Sequence, residues 1–274
     1  MDLTPRILAD NLFSRSGVSV TDPGAASGYP AANLYDGIGW LKWMPDTTAD
    51  KELIVDAGSA VAPDAWGLVG HNLFTETTTA ALYYSDASAT GPWTLEDSYA
   101  PTSDEDFMRA LDGTESHRYW RILFSSIDAT SLFVSEALLG EAVSFSIGLD
   151  WRGFDPDDEE PVTSMQRNRL GHVIGVQFDH SRRRQRWIWP MIPTSELDDA
   201  TTYTGFGWWR KEIARRNVPA LYLWNADETS QTYQHEAIWG HVTQFPRQPL
   251  RTALADGWRR LELEITGRVS GEDD

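Results

Sequence analysis

The sequence predicts an all-β protein made of two β-sandwich, jelly-roll-like domains with at most one short helix. Apolar and polar residues alternate with period two in many short segments, which is typical of strands with one buried face. Helical periodicity is weak: Trp208–Arg216 is the best candidate for a helix, and Asn33–Gly37 is a candidate for a single helical turn. Turn-forming dipeptides separate the alternating segments: Asp36-Gly37, Gly91-Pro92, Asp112-Gly113 and Asp256-Gly257.

Strand candidates follow one another along most of the chain, as expected for sandwiches or barrels. In His117–Phe124, three apolar side chains fall on one face and are predicted to be core: Trp120, Ile122 and Phe124. The other candidates of the first half are Glu52–Asp56, Ala65–Gly70, Ala81–Ser85 and Leu132–Leu139. Those of the second half are Val143–Trp151, His172–Phe178, Arg186–Ile192, Ala220–Trp224, Glu236–Gln244 and Leu261–Ile265.

A domain boundary is predicted near Glu141, which divides the chain into residues 1–141 and 142–274. Residues 132–140 form a closing strand, and the alternating segment from Val143 opens a second unit. Charge supports the division, because residues 1–150 carry 22 acids and 7 bases whereas residues 151–274 carry 19 acids and 16 bases. The two units are therefore expected to have different surfaces.

Composition excludes several classes of function. The chain has 274 residues, a net charge of −18 and no cysteine. Without cysteine there are no disulfides, thiolate zinc sites or iron–sulfur clusters. The negative charge repels phosphate backbones and anionic lipids, so we expect no nucleic-acid partner and no membrane insertion. No apolar run reaches the roughly 18 residues that cross a membrane, and the first residues do not have the pattern of a secretion signal.

Motifs for catalysis or metal binding are absent from the sequence. His235 and His241 do not have the HExxH spacing, and on a strand their imidazoles would lie roughly 20 Å apart. There is no P-loop, nucleophile elbow or dinucleotide fingerprint. We therefore expect no metal, no cofactor and no enzymatic activity. A glycoside hydrolase with a pair of catalytic carboxylates stays open as an alternative, because acidic residues are frequent throughout the chain.

Six short motifs in the first half resemble, in order, those of the discoidin (coagulation factor 5/8 type C) family. The resemblance covers about half of the chain and implies a β-sandwich that binds glycans, proteins or lipids through loops at one end. The motifs are Tyr29–Gly37 followed by Trp40 and Trp43, Leu53–Gly58, Gly67–Leu73, Tyr84–Asp86 followed by Trp93, Arg118–Ile122, and Ser135–Gly140. The cystine pair that often closes this sandwich in the family is missing here.

The same resemblance places the binding loops at Trp40–Asp50 and after Asn72. It makes Trp40, Trp43, His71 and Asn72 the candidate glycan-binding residues, since indole rings can stack on sugars. The alternative for Trp40 and Trp43 is that they fill the core beneath the loops. Lipid binding is disfavoured by the negative charge of this half.

Clustered arginines are the most unusual local feature of the second half. Arg182, Arg183, Arg184 and Arg186 are predicted at a hairpin tip, beside tryptophans. One hypothesis is a contact between subunits, in which these arginines meet the acidic first half of a neighbour or its acidic loop Asp155–Glu160, which contains Asp157, Asp158, Glu159 and Glu160. The alternative is a turn that is exposed to solvent.

The second half also resembles, in its general architecture, the β-sandwich tail-tip proteins of long-tailed bacteriophages. The segments involved are His172–Ile192, Trp208-Trp209, Pro219–Trp224 and Ile238–Phe245. The resemblance implies a structural, distal-tail-like protein of the baseplate, assembled in the host cytoplasm and located in the virion. Its partners would be its own copies in a symmetric ring, other tail proteins and host-surface glycan. Two alternatives stay open: a carbohydrate-binding module or subunit of a carbohydrate-active enzyme, and an adhesin unrelated to viruses.

Overall fold

The all-β fold class is confirmed by the computed structural model. It describes residues 4–111, 115–150, 152, 154–155, 159–167, 169–170, 172–226, 233–244 and 257–268. In these ranges the strands form three antiparallel sheets of five, three and seven strands. None of the helices described is long and apolar enough to span a bilayer.

The five-stranded sheet forms the outer layer of the first half. Its order is β2-β3-β8-β5-β6, with bounds Ser19–Thr21 (β2), Lys51–Val61 (β3), Thr79–Ser85 (β5), Thr94–Tyr99 (β6) and His117–Ser125 (β8). The predicted inward face of β8 is confirmed, because Trp120, Ile122 and Phe124 are fully buried. Their burial follows from the alternation, which sends every second side chain of a strand to the same face.

The three-stranded sheet is buried on both faces. Its order is β7-β4-β9, with bounds Ala65–His71 (β4), Phe107–Ala110 (β7) and Val134–Gly140 (β9). Every residue of β4 and β9 is buried. This explains why the sequence of β4 is a nearly continuous apolar run instead of an alternating one.

The seven-stranded sheet occupies most of the second half, and its order is β10-β1-β13-β14-β15-β12-β11. The strand bounds are Arg6–Leu8 (β1), Val143–Ser144 (β10), Glu159–Arg167 (β11), Val173–Pro193 (β12), Ala220–Leu223 (β13), Ile238–Gln244 (β14) and Trp258–Arg268 (β15). Two α-helices pack on one face of this sheet through Leu197, Phe206 and Trp209. They are Thr194–Asp198 (α1) and Phe206–Glu212 (α2). Single 3₁₀ turns lie at Leu12–Ser14, Ala31–Leu34, Ala214–Arg216 and Gln234–Glu236.

The two sandwiches share the three-stranded sheet. Trp66 and Leu68 face the five-stranded sheet, whereas Val69 and Met108 pack against Leu221 and other residues of the seven-stranded sheet. The strands approach so closely that a Cβ at Gly67 would lie 2.6 Å from Leu221 Cδ2. Only glycine fits at that position.

The first strand of the chain also joins the two halves. Although β1 precedes the first sandwich in sequence, it pairs with β10 and β13 of the seven-stranded sheet. Residues 1–141 therefore include one strand of the second sheet. The division at residue 141 stays a prediction about independent domains.

The predicted strand Val143–Trp151 is wrong in length. Only Val143–Ser144 is a strand, and Trp151 lies outside the described residues. Phe145 and Leu149 are nevertheless buried in the core beneath α1 and α2. The alternation in this segment therefore marks buried side chains on an irregular chain, which is stabilised by the Trp189 Nε1 bond to the Ile147 carbonyl (3.1 Å).

The predicted hairpin tip at the arginine cluster is also wrong. The expected strands His172–Phe178 and Arg186–Ile192 are parts of a single strand, Val173–Pro193 (β12). The chain instead reverses between Arg167 and Val173, which are paired partners at the end of β11 and the start of β12. The arginines lie in the middle of β12, where Arg182 and Arg183 pair with both β11 and β15, and Arg184 and Arg186 pair with β15.

The predicted helix at Trp208–Arg216 corresponds to α2 and the 3₁₀ turn that follows it. Trp209 and Ile213 are buried, as the predicted helix face requires. Arg216 is exposed and forms an ion pair with Glu212 one turn earlier.

Met108→Ala is expected to lower the free energy of unfolding of the whole chain by about 2–5 kcal/mol. Met108 is fully buried between the three-stranded and seven-stranded sheets, so the cavity weakens both sandwiches. Urea unfolding followed by tryptophan fluorescence and by far-UV circular dichroism should show one transition that shifts in both signals.

The matched control is Met191→Ala, because Met191 is 44% exposed and its truncation should leave the transition within about 0.5 kcal/mol of its original position. Two separate transitions, of which Met108→Ala shifts only one, would contradict a shared core.

Candidate functional site

An open cleft lies where the first half meets the seven-stranded sheet. Its volume is about 560 Å³. One wall is the loop between the Ala31–Leu34 turn and β3. The other wall is formed by strands β12, β14 and β15, together with Pro219, which precedes β13. The lining residues are Gly37, Gly39, Trp40, Arg182, Pro219, Trp239, Gly240, His241, Thr266 and Gly267.

The loop wall is shaped by a tight turn at Asp36-Gly37. Asp36 Oδ1 accepts a hydrogen bond from the Ile38 N–H at 2.7 Å, and Gly37 has a φ of 78°. This left-handed conformation favours glycine. The turn carries the chain outward, so that the Trp40 side chain is 78% exposed at the cleft.

The loop is fixed against the sheet by a close contact between Gly39 and Trp239. A Cβ at Gly39 would lie 2.3 Å from Trp239 Nε1, so no larger residue fits without movement. Trp239 is itself 8% exposed and belongs to the core between the three-stranded and seven-stranded sheets. The cleft therefore rests on the packing that joins the two sandwiches.

The sheet wall combines a glycine floor with polar side chains. Gly240 and Gly267 are cross-strand partners, and each would place a Cβ within 2.4 Å of neighbouring atoms. Polar groups come from Arg182, His241 and Thr266. His241 Nδ1 is buried and has no hydrogen-bond partner in the described part of the chain.

Arg182 is held at the cleft by an ion pair with Glu160 on the neighbouring strand. Glu160 Oε2 accepts from Arg182 Nη2 at 2.7 Å and from Nε at 3.1 Å. These hydrogen bonds and the guanidinium charge lower the pKa of Glu160. Because a guanidinium carries five N–H donors in a fixed planar geometry, Arg182 presents hydrogen-bond donors to the cleft.

Of the four predicted glycan-binding residues, only Trp40 reaches the cleft. Trp43 is fully buried and donates from Nε1 to the Gly24 carbonyl at 3.2 Å. It is therefore a core residue, as the alternative interpretation expected, and not a residue that contacts a sugar. His71 is 3% exposed and contacts the rings of Tyr99 and Phe107. A side chain with this burial lies in the core and does not line the cleft.

Asn72 holds a loop together. Its Oδ1 accepts from the Phe133 N–H at 2.7 Å, and its Nδ2 donates to the Ser131 carbonyl at 3.0 Å. These bonds use the amide for the backbone of a neighbouring segment, away from the lining of the cleft. Its role in glycan binding stays a prediction without geometric support.

The arginine cluster is paired within its own chain. Arg184 Nη2 lies 2.8 Å from Glu264 Oε2, and Arg186 Nε lies 2.7 Å from Glu262 Oε1. Arg183 points to the other face of β12 and is 6% exposed. Its cross-strand partner in β11 is the exposed Glu159. Asp157 and Asp158 lie outside the described residues, so a contact between this cluster and a neighbouring subunit stays a prediction.

A buried acid lies behind the loop wall. Glu136 on β9 is 1% exposed, and its Oε1 has no hydrogen-bond partner among the described residues. Burial is the main cause that raises the pKa of Glu136 to about 9, and the neighbouring Asp36 carboxylate raises it further. The N–H groups of Ile38 and Gly37 have the opposite, smaller effect on this pKa. At neutral pH the carboxyl is therefore protonated beneath the turn that positions Trp40.

Sequence reasoning missed the sheet wall of the cleft. Trp239, His241 and Thr266 come from strands that are remote in sequence from Trp40, and no motif links them. Glu136 entered the sequence analysis only as part of a closing strand. Its position within a run of buried residues could have indicated a perturbed acid. Within the described ranges, no group of three or more His, Asp or Glu side chains is arranged to hold a metal ion.

Comparisons with known proteins give a limited likeness. No protein-family model and no curated protein matches the sequence. Among solved structures, one described as CpGH89CBM32-6 produced by Clostridium perfringens is 17% identical, with a TM-score of 0.40, over 48% of this chain and 99% of that chain. CBM32-1 from a family 31 glycoside hydrolase of the same organism is 17% identical, with a TM-score of 0.37, over 46% of this chain and 95% of that one.

A Ruminococcus gnavus GH29 fucosidase in complex with fucose is 16% identical, with a TM-score of 0.39. The match covers 50% of this chain and 28% of the fucosidase. At these values the likeness carries no argument about function, and none of these structures supports the tail-tip hypothesis.

Glu136→Gln is expected to stabilise the protein at pH 8 and to have little effect near pH 4. The folded state keeps a proton on Glu136 up to a pKa of about 9, whereas the unfolded chain loses it near 4.3. The free energy of unfolding of the wild type therefore falls between these two values as the pH rises, by at most about 1.4 kcal/mol per pH unit. The amide introduced by Glu136→Gln does not titrate, so the variant should lack this slope.

Urea unfolding at several pH values measures the slope, and Glu159→Gln, which changes an exposed glutamate, is the control. Equal pH profiles for the wild type and Glu136→Gln would contradict a protonated buried carboxyl.

Proposed function

We propose that this protein binds glycan without cleaving it, and that the cleft beside Trp40 is the binding site for an uncharged sugar chain. The observation that carries the proposal is the exposed indole of Trp40 at the edge of a polar cleft. The cleft volume of about 560 Å³ lies within the range of about 300–1,000 Å³ that small-molecule sites have.

Trp40 is the natural platform for a sugar ring. Many other tryptophans are fully buried, among them Trp66, Trp120, Trp187 and Trp209. The Trp40 indole is 78% exposed, and its hydration is unfavourable because the ring is apolar. The apolar C–H face of a sugar that stacks on the ring would remove this surface from water. A sugar ring stacked on Trp40 would also exclude water from the neighbouring polar contacts.

The sheet wall supplies partners for sugar hydroxyls. Arg182 donates from a guanidinium that Glu160 keeps in place, and Thr266 and His241 offer further donors and acceptors. Hydroxyl groups both donate and accept, so mixed polar side chains around an apolar platform suit a neutral saccharide. The charge of Arg182 is already balanced by Glu160, which argues against a requirement for an anionic sugar.

Binding is favoured over hydrolysis by the composition of the cleft. The lining residues in the described part of the chain include no Asp or Glu. Most glycoside hydrolases need two carboxyl groups about 5–10 Å apart across the scissile bond. The proposal therefore follows the carbohydrate-binding alternative, and no contact of the cleft favours the tail-tip assignment over it.

Trp40→Ala is expected to weaken glycan binding at least tenfold, which corresponds to about 1.4 kcal/mol, without a change in thermal stability. A glycan array identifies the ligand, and isothermal titration calorimetry measures its affinity. Tyr29→Ala is the matched control, because Tyr29 is a 42% exposed aromatic residue that does not line the cleft.

Two outcomes would overturn the proposal. One is a wild-type protein that binds no glycan on a broad array. The other is a glycan whose affinity is reduced equally by Trp40→Ala and Tyr29→Ala.

A further inference from the structure

A two-stranded hairpin arm extends past the body of the seven-stranded sheet. We define the arm as Glu159–Arg167 (β11) with residues 173–181 of β12. The pairing between β12 and β15 begins at Arg182 and Arg268. In the described structure, residues 173–181 therefore pair only with β11. Nine residues of a strand span about 30 Å, so the arm is long enough to reach another molecule.

The arm exposes apolar side chains around its tip. Leu170 is 82% exposed, Met165 is 56% exposed and Val173 is 47% exposed. An isolated two-stranded hairpin is marginally stable in water, and exposed apolar side chains near one another in sequence favour an interaction site. The arm thus has the properties of an element that is completed by a partner.

The tip of the arm is positively charged, although the chain as a whole is negative. Residues 161–178 contain no Asp or Glu but include Arg167, Arg169 and His172. Both arginines are exposed. The chain as a whole has a net charge of −18, so another copy of the same chain presents the opposite charge to this tip.

A complementary surface lies at one end of the first sandwich. We call it the acidic loop patch and define it as Phe74, Glu76, Asp104 and Asp128. Asp104 Oδ1 accepts from the Phe74 N–H at 2.8 Å, and Asp128 Oδ2 accepts from Thr77 Oγ1 at 2.6 Å, so these residues lie together. Phe74 is 51% exposed among them. The patch thus combines an apolar contact with negative charge, whereas the tip of the arm combines apolar side chains with positive charge.

We propose that the tip of the hairpin arm of one molecule binds the acidic loop patch of a second copy of this chain. Leu170 packs against Phe74, and Arg167 and Arg169 pair with Glu76 and Asp128. The two surfaces are different parts of the molecule, so the contact is heterologous. Such contacts produce closed rings or open chains, according to the rotation between neighbours.

The test compares charge-reversed variants by sedimentation velocity at concentrations up to about 100 µM. The wild type should self-associate in about 50 mM NaCl and dissociate in about 500 mM NaCl, because salt screens the charge pairs. R167E/R169E and E76R/D128R should each weaken self-association more than tenfold. An equimolar mixture of the two variants should associate again, because each arm then meets a patch of opposite charge.

Two controls separate the arm from general effects of charge and hydrophobicity. R215E/R216E makes the same change in net charge on two exposed arginines after α2, and it should associate as the wild type does. Leu170→Ser should weaken association, whereas Leu95→Ser, at a site that is 52% exposed on β6, should not.

Three results would overturn the proposal: a wild type that remains monomeric in low salt, a charge-reversal effect that R215E/R216E reproduces, or a mixture that fails to associate. None of these measurements involves glycan, so the proposal stands or falls separately from the function of the cleft.

Discussion

The structure depends on the burial of one sheet on both of its faces. The three-stranded sheet supplies Trp66 and Leu68 to one core and Val69 and Met108 to the other. At Gly67 a Cβ would lie 2.5 Å from the Phe107 carbonyl oxygen of β7 and 2.6 Å from Leu221 Cδ2 of the seven-stranded sheet, so a larger residue would disturb both contacts. Because removal of either outer sheet would expose this layer to water, we expect the two sandwiches to unfold together.

The cleft is a consequence of this arrangement. Its loop wall belongs to the first half and its sheet wall to the second, and they meet where Gly39 contacts Trp239. Behind the loop lies the buried Glu136, whose pKa is raised by burial and by the neighbouring Asp36. The position of Trp40 is therefore fixed by packed neighbours, and under the proposed function such preorganisation would lower the entropic cost of binding a sugar chain.

Sequence reasoning succeeded where alternation alone decides the structure. It identified the inward face of β8 and the core strands of both halves, because a period of two specifies which side chains are buried. The same period does not specify which sheet packs on the buried face of a strand, so the sequence did not predict that both halves share the three-stranded sheet. In Val143–Trp151 the same alternation marks burial without a strand. At Arg182–Arg186 the sequence predicts a turn, but pairing with the neighbouring strands β11 and β15 keeps the chain extended as part of β12.

The candidate site was predicted in part for the same reason. Trp40 and Trp43 are three residues apart in sequence, yet one lines the cleft and the other is fully buried. Local sequence cannot distinguish these two roles, since both use the same apolar ring. The opposite wall, with His241 and Thr266, is brought close only by the packing of the two sandwiches, and no local pattern could identify it.

Hydrogen–deuterium exchange in the presence of a bound glycan tests most directly whether the two halves form one binding site. Exchange should slow at the same time in peptides that cover residues 37–41 of the loop and residues 239–241 of β14. Protection confined to the loops of the first sandwich, with unchanged exchange in the seven-stranded sheet, would contradict a binding cleft shared by both halves.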